Sequence, residues 1–374
     1  MSRARAEINL AAIAENLKFM KSKTSAQVLA VVKADAYGHG LISVAKAAEK
    51  AGADWLGTAL LEEGTALRNN GIKKPIISWL TPMGEDFKTA INLDIDLSIS
   101  SIELLNEIIS IGKSLNKVPR VHIEIDTGMN RGGFGDDWGL LLPEILKAVK
   151  ANEIKVFGFW SHFARADEPN EEMNKTQLDL FTQKVKQLND AGVSPEFIHI
   201  ANSAAAISNE AAHKNIVRWG IGLYGLSPDI NNMGDSKSLG LKPAMKLFAK
   251  LQLVKAVKAG QSVGYGGTAI TKSDTKLGVV TLGYADGIPR NASNLAGIYV
   301  AGRRAPLIGR VSMDQFVVDL GSDSLAKTGD EVIVFGDGSH GEYTIDEWAK
   351  ACGTINYEIV TRIGVRVPRI YSRE

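Results

Sequence analysis

Over its first two-thirds the chain alternates two hydrophobic periods. Short β-branched runs stand at VLAVV (28–32), DWLGTA (54–59), PIISW (75–79), IDLSI (95–99), VHIEI (121–125), KVFGFW (155–160), FIHI (197–200) and NIVRW (215–219). Between them apolar residues recur at helical spacing, as Leu10, Ile13 and Leu17 do behind Asn9, a residue suited to cap a helix N-terminus. Ser101 holds the same position before IELLNEIISIGKSL, and Gly52 suits a helix C-cap after AKAAEKA. The pattern predicts eight strand–helix units within 235 residues, the number that closes a parallel (β/α)8 barrel. An open doubly wound sheet is the alternative, but it usually carries a G-x-G-x-x-G turn after its first strand, and none is there.

Near residue 230 the texture changes. SPDINNMGDSKSLG (227–240) reads as a linker. Beyond it, strand-like runs follow at short spacing: KLFAKLQLVKAV, LGVVTLGY, PLIGRV, FVVDLG and DEVIVFG, interrupted by one helical stretch, TIDEWAKACG. The fold class expected is therefore α/β, a barrel over 1–235 followed by a mostly antiparallel β domain over 236–374.

Composition narrows the partner. With 45% hydrophobic and 23% charged residues the chain can bury a large core. The 43 basic and 42 acidic residues leave a formal net charge of +1, which gives no electrostatic footprint for nucleic acid or an anionic membrane. A small-molecule partner is expected. Cys352 is the single cysteine, so no internal disulfide framework exists. No signal-peptide h-region and no spanning apolar stretch is seen, and no metal-ligand motif, so the expected address is the cytoplasm.

In a barrel, chemistry gathers at the C-terminal ends of the strands. The first predicted strand delivers Lys33, followed by Asp35, Tyr37 and His39. The fifth delivers Glu124, Asp126 and then Arg131; the sixth ends at His162, the seventh at Asn202 and Ser203, the eighth at Arg218 before Gly220 and Ile221. An isolated lysine at a strand end is usually just solvated. One that emerges from an apolar run can instead be partly desolvated, with a lowered pKa suited to Schiff-base formation with an aldehyde. Ser203 and the amides around Gly220 and Ile221 follow the strands where barrels commonly bind phosphate, and an arginine such as Arg218 is a usual partner for a pyridine nitrogen. An amine, a ring-nitrogen partner and a phosphate cradle make one cofactor-shaped set.

These residues carry a resemblance. AVVKADAYGHG at 30–40 is similar to the pyridoxal-phosphate attachment motif of the alanine racemase family, and IDTGMNRGGF, SHFARADE, HIANSAA, VRWGIGLYG, VGYGGT, GYADG, GRVSMDQ and YEIVTRI follow in that family's order. The resemblance implies a barrel that holds pyridoxal 5'-phosphate, a few N-terminal residues packed with the β domain, and a head-to-tail homodimer that shares its active sites. It further implies interconversion of L- and D-alanine, supplying D-alanine for peptidoglycan. By motif, Lys33 would carry the cofactor and serve as base on one face of the substrate's α-carbon, with Tyr265 of the other subunit on the opposite face. Arg218 would face the ring nitrogen, with His162 behind it. Tyr37, Ser203, Ile221 and Tyr357 would hold the phosphate, with Asn202 and Gly220 among the cofactor-binding residues. Arg131 and the amide of Met313 would bind the substrate carboxylate, and Tyr284, Arg290, Arg310, Ile355 and Asp167 would form the entrance gate.

Three positions depart from the family pattern. Gly264 stands where serine is frequent, and Ser312 where cysteine is frequent. Glu124 replaces a lysine that many members carry as a carbamate. In VHIEID the alternation sets Val121, Ile123 and Ile125 against His122, Glu124 and Asp126, which turns Glu124 into the barrel if the apolar set faces the helices. Glu124 is then read as the native source of the negative charge that orients Arg131, although its carboxyl reaches less far than a carbamylated lysine; the alternative is a glutamate tied to another barrel group. Rival assignments are a barrel-plus-β-domain amino-acid decarboxylase, which the YGGT and SMDQ motifs disfavour, a serine or broad-specificity racemase, and a non-catalytic cofactor carrier.

Overall fold

A computed structural model describes residues 2–372. They pack into two compact units: Ala14–Ala36 with Leu41–Leu223, and the residues through Ile13 with Tyr37–Gly40 and everything from Tyr224 on. Strand β1 (Ala4–Asn9) belongs to the second unit.

The first unit is the barrel. Its strands are β2 (Gln27–Val31), β3 (Trp55–Thr58), β4 (Ile76–Ser78), β5 (Ile95–Ile99), β6 (Arg120–Glu124), β7 (Lys155–Trp160), β8 (Phe197–His199) and β9 (Ile216–Trp219). All neighbours pair in parallel, in the order β8-β7-β6-β5-β4-β3-β2-β9. The Arg218 amide donates to Ala201 O (3.0 Å) and the Asn215 amide to Ile198 O (3.3 Å), which draws β9 to β8 and brings the sheet round on itself. The sequence signals at the helix ends act as expected. Asn9 Oδ1 accepts from the Ala12 amide at 3.0 Å, Ser101 Oγ accepts from Leu104 at 3.1 Å, and Gly52 ends its helix with φ +97°.

The interior of this barrel is unusually polar. Barrels of this kind are mostly filled by branched apolar side chains, yet Thr58, Ser78, Asp96, Ser98, His122, Ser161, His199 and Arg218 are all buried here. On β6, Val121 and Ile123 alternate with His122 and Glu124, and His122 reaches Asp96 on β5 and His199 on β8. That crossing places the His122 and Glu124 face toward the barrel axis.

The second unit is built on the long strand β10 (Met245–Val257). After it come β11 (Ser262–Val263), β12 (Ala269–Ile270), β13 (Thr275–Val280), β14 (Gly297–Val300), β15 (Arg303–Pro306), β16 (Phe316–Asp319), β17 (Glu331–Phe335) and β18 (Arg369–Ser372). Strand β10 pairs antiparallel with β1, β13 and β17, while β1 pairs in parallel with β18. The stretch PLIGRV is only partly strand: β15 ends at Pro306, and Leu307 makes a lone bridge to Val318. The β14–β15 hairpin turns on Ala301 and Gly302, both at positive φ. Ala seldom adopts that conformation, so the turn leaves little trace in the sequence. Residues 227–240 are an ordered loop in this unit. Ser227 Oγ donates to Gly234 O, and Ser236 donates through both its amide and its hydroxyl to Asp346, each at 2.9 Å. The helix Ile345–Cys352 starts from a reciprocal cap between Thr344 and Glu347.

Candidate active site

Lys33 leaves β2 into one helical turn, Lys33–Gly38, whose next four residues are left-handed: Ala34, Asp35, Ala36 and Tyr37 lie at φ +51° to +53°. L-residues in this conformation cost about 1–2 kcal/mol each, and runs of them are rare. The turn is therefore held from outside. Glu63 Oε1 accepts from the Ala34 amide at 2.6 Å, while its Oε2 accepts from Ala59 and Leu60 at 3.0 and 3.1 Å. Asp35 Oδ1 accepts from Leu41 at 2.8 Å. The result fixes where the Lys33 side chain starts. Its ammonium lies 5.8 Å from the centre of the Trp79 ring. Burial lowers its pKa, helped by the positive fields of Arg131 and Arg218 and opposed by Glu63.

Arg218, on β9, is buried and paired with no carboxylate among the described residues. It donates from Nη1 to His199 Nδ1 (3.2 Å), and from Nη2 to Ser161 O (2.9 Å), His162 Nδ1 (3.0 Å) and Ile200 O (3.0 Å). Its Nε–H makes no hydrogen bond among the described residues. Desolvation brings the guanidinium down to about 9, so it remains a cation at neutral pH. His162 and His199 are kept neutral by burial first and by the Arg218 charge second. Next to it, Ser203 Oγ accepts from the amides of Gly220 (2.8 Å) and Gly222 (3.4 Å), which leaves its own O–H to donate. Asn202 caps the helix Ser203–Ser208 by accepting at Oδ1 from the Ala205 amide at 3.0 Å, which leaves the donors of its Nδ2 outside the cap. The Gly220 amide is committed to Ser203.

Glu124 stands at the end of β6, its carboxyl against Gly132: a Cβ there would lie 3.2 Å from Oε1. That carboxyl makes no hydrogen bond or ion pair among the described residues, with Arg131 or any other group. Desolvation raises its carboxyl to about 7, against the opposing fields of Arg218 and Arg131. Arg131 is exposed on a loop shaped by Asp126, whose Oδ1 accepts from Gly128 and Asn130 at 2.8 and 3.1 Å. Asp167, half-buried, follows β7 on the same unit.

The second unit holds the remaining expected residues in two groups. Tyr37 is buried against Tyr224 (4.8 Å between ring centres) and Tyr357 (5.9 Å), and desolvation raises its phenol. Tyr265 stands 71% exposed on the turn between β11 and β12, flanked by Gly264 at φ +73° and Gly266 at φ +74°. A serine at 264 would have to adopt that left-handed backbone, so the glycine relieves strain in this chain. The Arg310 guanidinium lies beside Gly266. Met313 is exposed, and its carbonyl accepts from Ala285 at 2.9 Å while Ser312 O accepts from Tyr284 at 3.0 Å. These bonds tie the Met313 and Tyr284 segments together; Tyr284, Arg290 and Ile355 are exposed as well.

One set escaped the sequence reading. Asp96, His122 and His199 line the barrel axis behind Arg218, and the signal was a charged or imidazole residue at alternate positions of IDLSI, VHIEI and FIHI. Among the described residues one cluster has metal-ligand spacing, Asp337, His340 and Glu342. Lys246 Nζ sits 3.1 Å from Glu342 and 3.3 Å from Asp337, so an ammonium already takes the cation's position. No helix among the described residues is long and apolar enough to cross a membrane.

Comparison with known proteins agrees with this arrangement. The family of alanine racemase N-terminal domains matches residues 8–228, and that of the C-terminal domains residues 244–371. The chain is 46% identical to the alanine racemase of Thermobifida fusca, across 99% of this chain and 98% of the relative. It is 45% identical to that of Streptomyces coelicolor, across 100% and 96%. The crystal structure of alanine racemase from D-cycloserine-producing Streptomyces lavendulae superposes with a TM-score of 0.97 at 44% identity, covering 100% of this chain and 98% of that one. The alanine racemase of Bacillus anthracis with bound L-Ala-P gives 0.89 at 34% identity, covering 100% and 96%. The chain belongs to the alanine racemase family.

Proposed function

We propose that this protein interconverts L- and D-alanine with pyridoxal 5'-phosphate as cofactor, in the cytoplasm, as a homodimer whose active sites are shared, and so supplies D-alanine for peptidoglycan. The observation that carries the reading is the grouping of a desolvated lysine, a buried arginine with an uncommitted Nε–H, and a serine with a free hydroxyl hydrogen at the ends of neighbouring barrel strands. The donor set fits the cofactor: an amine for its aldehyde, a cation for its ring nitrogen, and hydroxyls for its phosphate. When bound, pyridoxal phosphate withdraws electrons from the substrate amine and acidifies the hydrogen on Cα.

Lys33 would hold the cofactor through its aldehyde, and its Nζ would take or return a proton on one face of Cα. Its lowered pKa supports that role, since a larger share of the amine is free base. Tyr265 Oη serves the opposite face from the second copy, consistent with its exposed place on a glycine-flanked turn. Inversion needs two bases, because one alone returns the proton to the side it left. Arg218 stays protonated and can only donate, so it would face the cofactor's ring nitrogen without giving up its proton and would weaken the ring as an electron sink. Ser203, Tyr37, Tyr357 and the Ile221 amide bind phosphate, with Asn202 and Gly220 shaping that cradle; His162 buttresses Arg218. Arg131 and the Met313 amide bind the substrate carboxylate, and Tyr284, Arg290, Arg310, Ile355 and Asp167 restrict entry to a small amino acid. Glu124 provides negative charge toward Arg131 above its own pKa, through water or a shift of the arginine.

Borohydride reduction of the purified yellow protein should fix the cofactor to the peptide that contains Lys33, and fixation on another lysine would sink the assignment. Mixing inactive Lys33→Ala and Tyr265→Ala subunits should restore activity, each mixed dimer carrying one intact site. No recovery after verified subunit exchange would show that each site is built within one chain.

A further inference from the structure

The polar file along the barrel axis has a direction that can be worked out from its end. Arg218 can only donate, so His199 Nδ1, 3.2 Å from Nη1, must accept and His199 carries its hydrogen on Nε2. That hydrogen faces His122 Nδ1 at 3.0 Å, which must therefore accept, leaving the His122 hydrogen on Nε2. This one meets Asp96 Oδ2 at 3.2 Å, a carboxylate oxygen that can only accept. Every bond points one way, from guanidinium to carboxylate, through two neutral imidazoles. Asp96, His122, His199 and Arg218 are 0%, 1%, 1% and 4% exposed.

The surroundings are fitted to this chain. Trp160 stacks on His199 with an interplanar angle of 4°, and the Trp55 edge meets His122 at 5.7 Å between ring centres. On β7 the residue opposite His122 is Gly158, where a Cβ would fall 1.9 Å from His122 Nδ1. At the far end Arg120 donates from Nε to Asp96 Oδ1 at 2.6 Å. Four strands thus commit buried polar groups to a line that apolar residues could have filled, and burial of such groups is costly unless each is satisfied.

We propose that Asp96 is a positioning residue for the reaction: through His122 and His199 it fixes the orientation of Arg218. The role rests on the reading of Arg218 as the partner of the cofactor's ring nitrogen. Asp96 touches neither substrate nor cofactor. Its negative end polarises both imidazoles, so that His199 presents a bare, electron-rich Nδ1 to the guanidinium. A hydrogen bond to an ionised group is roughly twice as strong as a neutral one, and the line passes part of that benefit to Arg218.

Two variants separate charge from connection. Asp96→Asn removes the charge and retains an acceptor for His122, and His122→Phe cuts the line while leaving the Asp96–Arg120 pair. Each should lower kcat about tenfold, with KM for alanine within twofold, when assayed well below its melting temperature; both variants should also melt somewhat lower, because each leaves a buried polar group unsatisfied. The double variant should lose no more than either single one, because both act on one line. If Asp96→Asn does not fold, His122→Phe carries the kinetic test alone. A separate readout ignores activity: ring-¹⁵N spectra of the protein labelled at its six histidines, with and without cofactor. His122 and His199 should both appear neutral with hydrogen on Nε2, and Asp96→Asn should shift the His199 signals. An His199 with its hydrogen on Nδ1 would overturn the proposal. So would variants with unchanged kcat, or a kcat that falls only in step with melting temperature. An inactive wild type with the expected histidine spectrum would instead count against the proposed function.

Discussion

Replacing Glu124 with glutamine removes a charge that the barrel pays to hold, and the size of the effect follows from its surroundings. The carboxyl lies at the end of β6 without a hydrogen-bond partner among the described residues, and burial raises it from 4.5 to about 7. An acid raised in the folded state keeps a proton that the unfolded chain releases, so stability falls as pH climbs through the window between those values. At about 1.36 kcal/mol per pKa unit the full loss is about 3 kcal/mol at pH 8.5, and about 1 kcal/mol of it has developed by pH 5. Glutamine escapes this loss. With an unfolding entropy of about 2.1 cal/mol/K per residue, a chain of 374 residues converts about 3 kcal/mol into about 4 °C. Differential scanning of wild type and Glu124→Gln, at matched cofactor and subunit concentration, should show the variant melting about 1 °C higher at pH 5 and about 4 °C higher at pH 8.5. A difference that stays flat with pH, or a variant that melts lower at pH 8.5, would refute the reasoning and reveal a carboxylate already ionised well below pH 7.

The same substitution should remove an inflection near pH 7 from the pH–rate profile, and activity of the wild type should not depend on bicarbonate. Ser203→Ala should weaken cofactor binding about tenfold, the loss of one hydrogen bond to a charged group, with kcat at saturating cofactor within twofold; equilibrium titration of the apoprotein measures it. Gly158→Ala places a methyl on His122 Nδ1 and should cost about 1–3 kcal/mol, readable by denaturant unfolding. Thr344→Ala removes the cap of the helix Ile345–Cys352 and should cost about 1 kcal/mol without touching kcat.

Much of the barrel was legible because parallel strands covered on both faces read as continuous β-branched runs, and all eight predicted runs overlap observed strands. Strand ends then named Lys33, Glu124, His162, Ser203 and Arg218, since β/α topology puts each at one mouth. The left-handed turn after Lys33 was not legible: ADAY contains no glycine until Gly38, and the conformation is imposed by Glu63 and Asp35 from elsewhere in the fold. Hairpin β14–β15 was missed for a related reason, an alanine at positive φ in its turn. Asp96, His122 and His199 were visible as polar residues inside apolar runs, but only their mutual distances show that they form one line to Arg218. Tyr265, between glycines on an exposed turn, has no periodicity to mark it, and its role comes from family resemblance alone.

The most direct measurement is chiral analysis of alanine after incubation with the purified protein and pyridoxal phosphate. L-alanine and D-alanine, supplied separately, should each converge on an equal mixture of the two, and L-lysine should react far more slowly because the proposed gate admits only a small side chain. Release of ethylamine and carbon dioxide without D-alanine, or binding of cofactor with no change in either enantiomer, would contradict the assignment.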